Sequence, residues 1–253
     1  MLIDTHCHIN FPDKFPDPSA TVAEAKAAGV ERLVAVGCDI ESSRAAVALA
    51  SQFEEVYAVV GWHPNYTKDY TRESLEEIEQ MLSHPKVVAL GEIGLDFHWD
   101  FATREQQYAA LHDQLELAAR LDVPMVFHCR EAYPAVLDVL EKRGPGRYLL
   151  HCFAGDAADA ARAVALGAMF GVDGPITYKN ADDLRVVIRK IPRDRLVVET
   201  DSPYLTPMPF RGKPNRPAYV AYVNAGLAAA LGIPADECAA LTTANAVRFF
   251  ELG

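Results

Sequence analysis

The chain has 253 residues, 50% of them hydrophobic, and its mean hydropathy is -0.01. It can bury one large core, and α/β barrels commonly reach about this length as one domain. The formal net charge of -11 excludes a surface that is cationic overall, the property that drives non-specific binding to duplex nucleic acid. No apolar stretch approaches the ~18 residues of a membrane span, and no basic leader precedes the first strand-like run. We therefore expect one cytoplasmic domain over residues 1–253, without membrane association.

Short β-branched runs alternate with amphipathic segments along the chain. We predict eight strands, at residues 2–6, 32–36, 56–61, 87–91, 124–128, 147–151, 168–172 and 196–200. Helices are predicted between them, for example over residues 18–28, and from a capping box of Thr103 and Gln106 to about Leu121. Eight alternating units favour a parallel sheet closed into a (β/α)8 TIM-type barrel. An open dinucleotide-binding sheet is disfavoured because no GxGxxG follows the first strand.

The chain beyond the eighth strand is predicted in two parts. Five prolines between residues 203 and 217 predict a rigid loop that cannot sustain a helix. Two helical segments then follow, at roughly residues 217–231 and 235–250. The expected fold class is therefore α/β, a single barrel with extra C-terminal helices.

The five cysteines form no CxxC pair and are odd in number, which argues against a disulfide framework and a thiolate zinc site. Three of them, Cys7, Cys129 and Cys152, each follow a histidine at a strand end. Because side chains alternate along a strand, we expect these thiols to point away from the barrel interior and to behave as small buried hydrophobic groups.

Histidines and carboxylates gather where the predicted strands end. In barrel enzymes the chemistry lies at these carboxyl ends. The segments DTHCH, GWHP, GEIGLD, FHCR, LHCF and ETDSP supply His6, His8, His63, Glu92, His128, His151 and Asp201. His6 and His8 project to the same side of an extended strand, where both can bind one ion. Four imidazoles and two carboxylates at one end of a barrel point to metal, because buried ionised groups are costly unless they are paired or bound to metal.

We predict two divalent ions bound by six ligands: His6, His8, Glu92, His128, His151 and Asp201. So many imidazoles suit Zn²⁺ or Mn²⁺, with Mg²⁺ less natural. Glu92 is expected to bridge the ions, because it offers two oxygens from a central strand. Asp201 is expected to ligate and to accept the proton of the attacking water. Asp4 and Glu199 are expected to orient the ligand imidazoles.

Together with ITYKNA, RGKPN and TTANAVRFFEL, these motifs resemble those of the TatD metal-dependent deoxyribonucleases of the amidohydrolase superfamily, over nearly the whole chain. The resemblance implies a barrel with one ion among His6, His8, Glu92 and Asp201, and another among Glu92, His128 and His151. It also implies 3′-to-5′ exonuclease action on DNA, with His63, Arg130 and Arg211 near the substrate phosphate.

The predicted substrate contacts have alternatives. Arg130 lies two residues after His128 and suits a phosphate clamp, or else an ion pair with a nearby carboxylate. His63 is either a substrate contact or a support for a metal ligand. Arg216 departs from the family pattern, which usually has Glu between Asn215 and Pro217. It either faces the metals and binds substrate or points into water.

Three functions remain open from the sequence. The first is hydrolysis of phosphodiester bonds at single-stranded or frayed DNA ends. The second is hydrolysis of an amide, ester or lactone bond, for example on aminoacyl-tRNA, because a fold does not fix the substrate. The third is metal binding without catalysis, which the intact ligand set disfavours. Loop cations favour the phosphate substrate: Arg130, Lys179, Arg211, Lys213 and Arg216. The oligomeric state is left open.

Overall fold

The sheet of this computed structural model, which describes residues 1–252, consists of eight parallel strands in sequence order. They are β1 (Leu2–Cys7), β2 (Val30–Val36), β3 (Val56–Val60), β4 (Val87–Asp96), β5 (Met125–Arg130), β6 (Tyr148–Leu150), β7 (Met169–Val172) and β8 (Leu196–Val198). Cys7 at the end of β1 pairs with Ser202 just beyond β8, so the sheet forms a nearly closed barrel. The predicted fold class is confirmed.

Helices lie between the strands and after the last one. They are α1 (Pro18–Ala27), α2 (Ile40–Gln52), α3 (Arg72–Leu82), α4 (Arg104–Leu121), α5 (Tyr133–Arg143), α6 (Ala157–Ala165), α7 (Asp182–Ile188), α8 (Val220–Leu231) and α9 (Ala235–Phe250), with 3₁₀ turns at Pro64–Asp69, Gly174–Thr177, Arg193–Arg195 and Pro217–Tyr219. The predicted capping box of Thr103 and Gln106 is present at the start of α4. Within residues 1–252 no single helix has the length and apolarity to cross a membrane, and α8 with its preceding turn and α9 meet both conditions only as a pair bent by 107°.

The barrel has two apolar layers because successive strand residues point to opposite faces. The outer face of the strands packs against the helices, and the inner face carries Ile3, Val59 and Val126 among others. Phe249 and Phe250 at the end of α9 pack against this inner layer. Burying each such side chain contributes about 1.5 to 3 kcal/mol. The inner layer fills the barrel below the strand ends, which leaves the carboxyl end for chemistry.

Strand β4 is longer than the sequence predicts. It continues from the expected end at residue 91 to Asp96, and its pairing with β5 shifts register between Leu90 and Ile93. Gly94 has φ +138°, and a side chain there would clash with the carbonyl oxygen of His128. Glycine therefore allows β4 to run close beside β5 beyond Glu92, and this brings Asp96 to the carboxyl end of the barrel.

Candidate metal centre and cleft

A cleft of about 1010 Å³ opens at the carboxyl ends of the strands. Five of the six predicted metal ligands line it: His8, Glu92, His128, His151 and Asp201. His6 is fully buried beside them, with its Nε2 3.4 Å from a Glu92 oxygen. The structure thus brings the six side chains together from β1, β4, β5 and the segments that follow β6 and β8.

Glu92 lies at the centre of the histidines. Its Oε1 is 2.6 Å from His151 Nε2 and 2.9 Å from His128 Nδ1, and it is 3.7 Å from His63 Nε2. The other oxygen, Oε2, faces His6 Nε2. The two carboxylate oxygens therefore face different imidazoles, which is the arrangement that a bridging ligand needs.

Asp201 lies on the His6 and His8 side of the cleft. Its Oδ1 is 3.3 Å from His8 Nε2 and 3.8 Å from His6 Nε2. The other ring nitrogen of His8, Nδ1, lies 2.9 Å from the carbonyl oxygen of Val36, and this contact orients the ring with Nε2 toward Asp201. This orientation suits a metal ligand.

The buried imidazole of His6 tests whether a metal fits this site. Neither of its nitrogens has a hydrogen-bond partner among residues 1–252. An unsatisfied buried polar group costs about 1 to 3 kcal/mol, so an imidazole placed here without a ligand function would be destabilising. Three groups of side chains place their ligand atoms within 4.8 Å of one another: His6 with His8 and Glu92, His63 with Glu92 and His128, and His6 with His151 and Glu199. Imidazole nitrogens and carboxylate oxygens suit borderline divalent ions, and the residues therefore fit a metal centre.

The electrostatics of the site keep Glu92 ionised. Burial raises the pKa of Glu92, but His151, His63 and His6 outweigh that effect and hold its pKa well below the usual range. Burial, with a further contribution from His151, lowers the pKa of His6. The centre therefore combines an ionised carboxylate with a neutral imidazole, and both are forms that bind metal.

His63 is neutral and its orientation is fixed. Burial, with a further contribution from His128, lowers the pKa of His63 to about 3. Its Nδ1 accepts a hydrogen bond of 3.0 Å from the backbone N–H of Asn65 at the start of a 3₁₀ turn. The proton must then be on Nε2, which points toward Glu92. His63 can thus donate a hydrogen bond within the cleft.

Asp96 is a site residue that the sequence analysis missed. Its Oδ2 lies 2.9 Å from His128 Nε2, while Nδ1 of the same ring faces Glu92. Burial raises the pKa of Asp96, but its hydrogen bond with His128 outweighs this and lowers the pKa. Asp96 therefore fixes the ring of His128 with Nδ1 toward the other ligands. Its spacing of four residues from Glu92, on the same face of an extended strand, was the signal that could have identified it.

The two carboxylates expected to orient the imidazoles have different partners. Glu199 Oε1 lies 3.5 Å from His151 Nδ1, as expected, and accepts a hydrogen bond from the backbone N–H of Cys152. Asp4 instead accepts hydrogen bonds from the backbone N–H and the hydroxyl of Thr200. Asp4 therefore ties β1 to the end of β8, and the expectation that it contacts an imidazole was wrong.

The cysteines largely behave as expected. Cys7 is buried within the apolar layer around the barrel, and Cys129 belongs to the same layer although it also lines the cleft. Cys152 departs from the expectation, because it lines the cleft and its thiol donates a 3.0 Å hydrogen bond to Asp173. The short strand β6 ends at Leu150, and Cys152 has φ +47°, so strand alternation no longer fixes the direction of its side chain.

The basic side chains predicted to contact the substrate fall into two groups, those that line the cleft and those that do not. Arg130 lines the cleft, and its guanidinium lies 5.5 Å from the centre of the Trp99 ring. Lys68, which the sequence analysis did not select, also lines it. Among residues 1–252, the other four predicted cations do not line the cleft: Lys179, Arg211, Lys213 and Arg216.

Arg211 and Arg216 have other partners. The guanidinium of Arg211 lies 4.4 Å from the centre of the Tyr178 ring. Arg216 donates to both oxygens of Glu24 on α1, at 2.9 and 3.0 Å. The structure therefore does not support the interpretation that Arg216 faces the metal ligands, because the carboxylate of α1 holds its guanidinium elsewhere.

The chain matches a protein family over nearly its whole length. A model described as TatD related DNase aligns with residues 3–251. The chain belongs to the TatD-related DNase family. Membership confirms the resemblance inferred from the motifs at the strand ends.

Members of the TatD family with similar sequences are named as metal-dependent hydrolases. YabD of Bacillus subtilis, an uncharacterized metal-dependent hydrolase, is 39% identical over 254 residues that cover 100% of both chains. The 3′-5′ ssDNA/RNA exonuclease TatD of Cronobacter turicensis is 36% identical over 242 residues, 92% of each chain. The crystal structure of YjjV, a TatD homologue from Escherichia coli, has a TM-score of 0.94 at 37% identity and covers 100% of this chain and 98% of the other. The chain is thus a TatD-type metal-dependent hydrolase with a TIM-barrel fold.

Proposed function

We propose that the chain is an exodeoxyribonuclease that hydrolyses phosphodiester bonds from the 3′ end of single-stranded or frayed DNA. The observation that carries this proposal is the position of Arg130 and Lys68, which line the same cleft as Glu92 in a chain whose net charge is -11. Two cationic side chains beside the candidate metal ligands suit an anionic substrate. The name of the Cronobacter turicensis relative, a 3′-5′ ssDNA/RNA exonuclease, agrees with it.

The proposal includes two divalent ions, Zn²⁺, Mn²⁺ or Mg²⁺. His6, His8 and Asp201 would hold one, His128 and His151 the other, and Glu92 would contact both through its two oxygens. When bound, such ions activate water and neutralise charge on the attacked and leaving oxygens.

Residues of the chain would carry out proton transfer and phosphate binding. Asp201 is placed to accept the proton of the attacking water, because it lines the cleft and nearby His8 lowers its pKa against the effect of burial, so the carboxylate is ionised. His63 would donate its Nε2–H to a phosphate oxygen, and Arg130 would clamp the phosphate by charge-assisted hydrogen bonds. Arg211 and Arg216 are left out of these contacts because neither lines the cleft.

The net negative charge of the chain also favours binding of single strands over duplex. Duplex binding draws on phosphate contacts along an extended cationic surface, and a net charge of -11 opposes such a surface. A strand end can instead enter the cleft and reach Arg130. We therefore expect faster hydrolysis of single-stranded or frayed ends than of blunt duplex.

The decisive experiment compares labelled strands. Metal-stripped protein is reloaded separately with Mg²⁺, Mn²⁺ and Zn²⁺, and then incubated with 3′-labelled and 5′-labelled single strands and with blunt duplex. The expected result is early release of a labelled mononucleotide from the 3′-labelled strand and a ladder of shortening fragments from the 5′-labelled one. The metal-stripped protein and Glu92→Gln serve as inactive controls.

The same experiment examines the alternative substrate class. A panel of amides, esters and lactones, including an aminoacyl-tRNA, is assayed with the same reloaded protein. Turnover of a panel member while both labelled strands stay intact would reject the exonuclease and assign the other reaction.

A further inference from the structure

We propose that Trp99 and Phe101 form a stacking site for a nucleobase of the substrate strand, an inference that rests on the proposed function and adds a binding site to it. Both rings line the cleft and are exposed, 44% for Trp99 and 60% for Phe101. Their centres are 5.5 Å apart and their planes differ by 22°, so the two rings are stacked on each other. We call them the aromatic pair.

Exposed aromatic rings are concentrated at this cleft. Among residues 1–252, five aromatic side chains stand out as exposed, and four of them line the cleft: Tyr66, Trp99, Phe101 and Tyr204. The fifth, Tyr222, lies on α8 away from it. Apolar surface that is exposed in one place marks a binding site more often than single scattered side chains do.

The backbone that carries the aromatic pair is held in place. The backbone N–H groups of His98 and Trp99 donate hydrogen bonds of 3.0 and 3.1 Å to Asp96 Oδ1. The buried amide of Gln107 donates to the carbonyl oxygens of Asp96 and Ala102 on either side of the loop. A loop fixed in this way loses little conformational entropy when a ligand binds.

Asp96 also links the loop of the aromatic pair to the candidate metal ligands. Its Oδ2 lies 2.9 Å from Nε2 of the ligand His128, and its Oδ1 accepts the backbone N–H of Trp99. One carboxylate therefore contacts both the ring that faces Glu92 and the loop that presents the aromatic faces. A base on the aromatic pair would place the adjoining phosphodiester at a defined position in the cleft.

A cation beside the rings identifies the class of ligand. The Arg130 guanidinium lies 5.5 Å from the centre of the Trp99 ring and lines the same cleft. A nucleotide carries a flat base next to a phosphate, and proteins that bind single strands combine aromatic faces with cations in this way. Because every base has a π-face, the site should bind strands with little sequence preference.

The test uses fluorescence and two matched strands. The chain has two tryptophans, of which Trp62 is buried and Trp99 exposed in the cleft, so Trp99 is the reporter. A short thymidylate strand with hydrolysis-resistant phosphorothioate linkages is compared with a strand of equal length and linkage that lacks bases. We expect the thymidylate strand to quench Trp99 in Mg²⁺-loaded protein, and the strand without bases to leave it unchanged.

Variants then measure the affinity by anisotropy of the labelled strands. Trp99→Ala should weaken binding of the thymidylate strand roughly 5- to 150-fold, the effect of losing one stacked base, and should leave the strand without bases unaffected. Trp99→Phe should retain most of the affinity, because it keeps a ring face, and Phe101→Ala gives a second measurement if Trp99→Ala folds poorly. Tyr222→Ala is the matched control, an exposed aromatic ring away from the cleft.

The outcomes separate this inference from the proposed function. Equal affinity of Trp99→Ala and wild type for the thymidylate strand overturns the stacking site, even if the wild type digests DNA. Absence of Trp99 quenching by the thymidylate strand overturns it as well. Quenching of Trp99 in the wild type, together with an affinity for the thymidylate strand that Trp99→Ala weakens, supports the stacking site. This holds even if no strand is hydrolysed, a result that would reject only the exonuclease.

Discussion

The imidazole of His128 is held between two carboxylates, with Nε2 2.9 Å from Asp96 Oδ2 and Nδ1 2.9 Å from Glu92 Oε1. If Nδ1 is a metal ligand, Nε2 carries the proton and donates a hydrogen bond to Asp96. A hydrogen bond of this kind fixes the ring and raises the basicity of the ligating nitrogen. Asp96 is therefore expected to determine how tightly the His128 side of the centre binds metal.

Asp96→Asn should lower metal affinity by about 10- to 100-fold, the usual effect of losing such a partner. The asparagine keeps the size of the side chain but removes the charge that favours the Nε2 proton. Isothermal titration of metal-stripped protein with Zn²⁺ measures the change. Asp100→Asn, an exposed carboxylate in the same loop, is the control, and equal affinities for Asp96→Asn and wild type would contradict the orienting role.

Glu92→Ala should abolish hydrolysis and reduce the metal content toward one ion per chain or fewer. Removing a shared carboxylate takes a ligand from both ions and removes the negative charge between them. Elemental analysis after gel filtration measures the ratio of metal to protein. Retention of two ions per chain would show that Glu92 does not bridge.

Asp201→Asn should reduce turnover at saturating metal by about 10²- to 10⁴-fold, the usual effect of losing a general base. The amide can no longer accept the proton of the attacking water, although its oxygen can still ligate. Initial rates on a single strand measure the effect, with metal content determined in parallel and Asp13→Asn, an exposed carboxylate, as control. Near-normal turnover would remove Asp201 from proton transfer.

Arg130 and Arg216 should differ in their effect on the salt dependence of DNA binding. Each phosphate contact in single-strand binding contributes roughly 0.7 to the slope of log affinity against log salt. Arg130→Gln should flatten the slope by about this amount, because Arg130 lines the cleft. Arg216→Gln should leave the slope unchanged, because its guanidinium binds Glu24. A salt titration that reversed this order would contradict the placement of both side chains.

Asp173 should make the metal-free protein less stable as the pH rises. Burial raises the pKa of Asp173 from 3.8 to about 8, so between these values the folded chain keeps a proton that the unfolded chain has lost. The stability from this group is present at low pH and falls by up to about 1.4 kcal/mol per pH unit across that window. Urea unfolding at several pH values should give a flatter profile for Asp173→Asn. Parallel profiles for the two proteins would contradict the raised pKa.

The clustering of the candidate metal ligands could be predicted because these residues obey a local rule. His6, His128 and Asp201 each lie at or just beyond the end of a strand whose β-branched run is visible in the sequence. Because the carboxyl ends of the strands converge in a barrel, residues at the ends of different strands are expected to lie close together. The motifs on which the family resemblance rests contain these same residues.

The contacts that the sequence analysis missed depend on tertiary structure. Asp96 was overlooked because β4 was expected to end at residue 91, whereas a glycine at residue 94 lets the strand continue beside β5. The sequence left open whether Arg216 faces the metals or points into water. Its partner, Glu24, is 192 residues away in sequence, and no local pattern specifies such a pairing.

Anomalous diffraction from manganese-loaded crystals tests most directly whether a pair of ions shares Glu92. Data collected at the manganese edge should show two peaks about 3.5 to 4 Å apart, the spacing of two-metal sites, with one Glu92 oxygen at each peak. His6, His8 and Asp201 should surround one peak, and His128 and His151 the other. A single peak, or two peaks that do not share Glu92, would contradict the account.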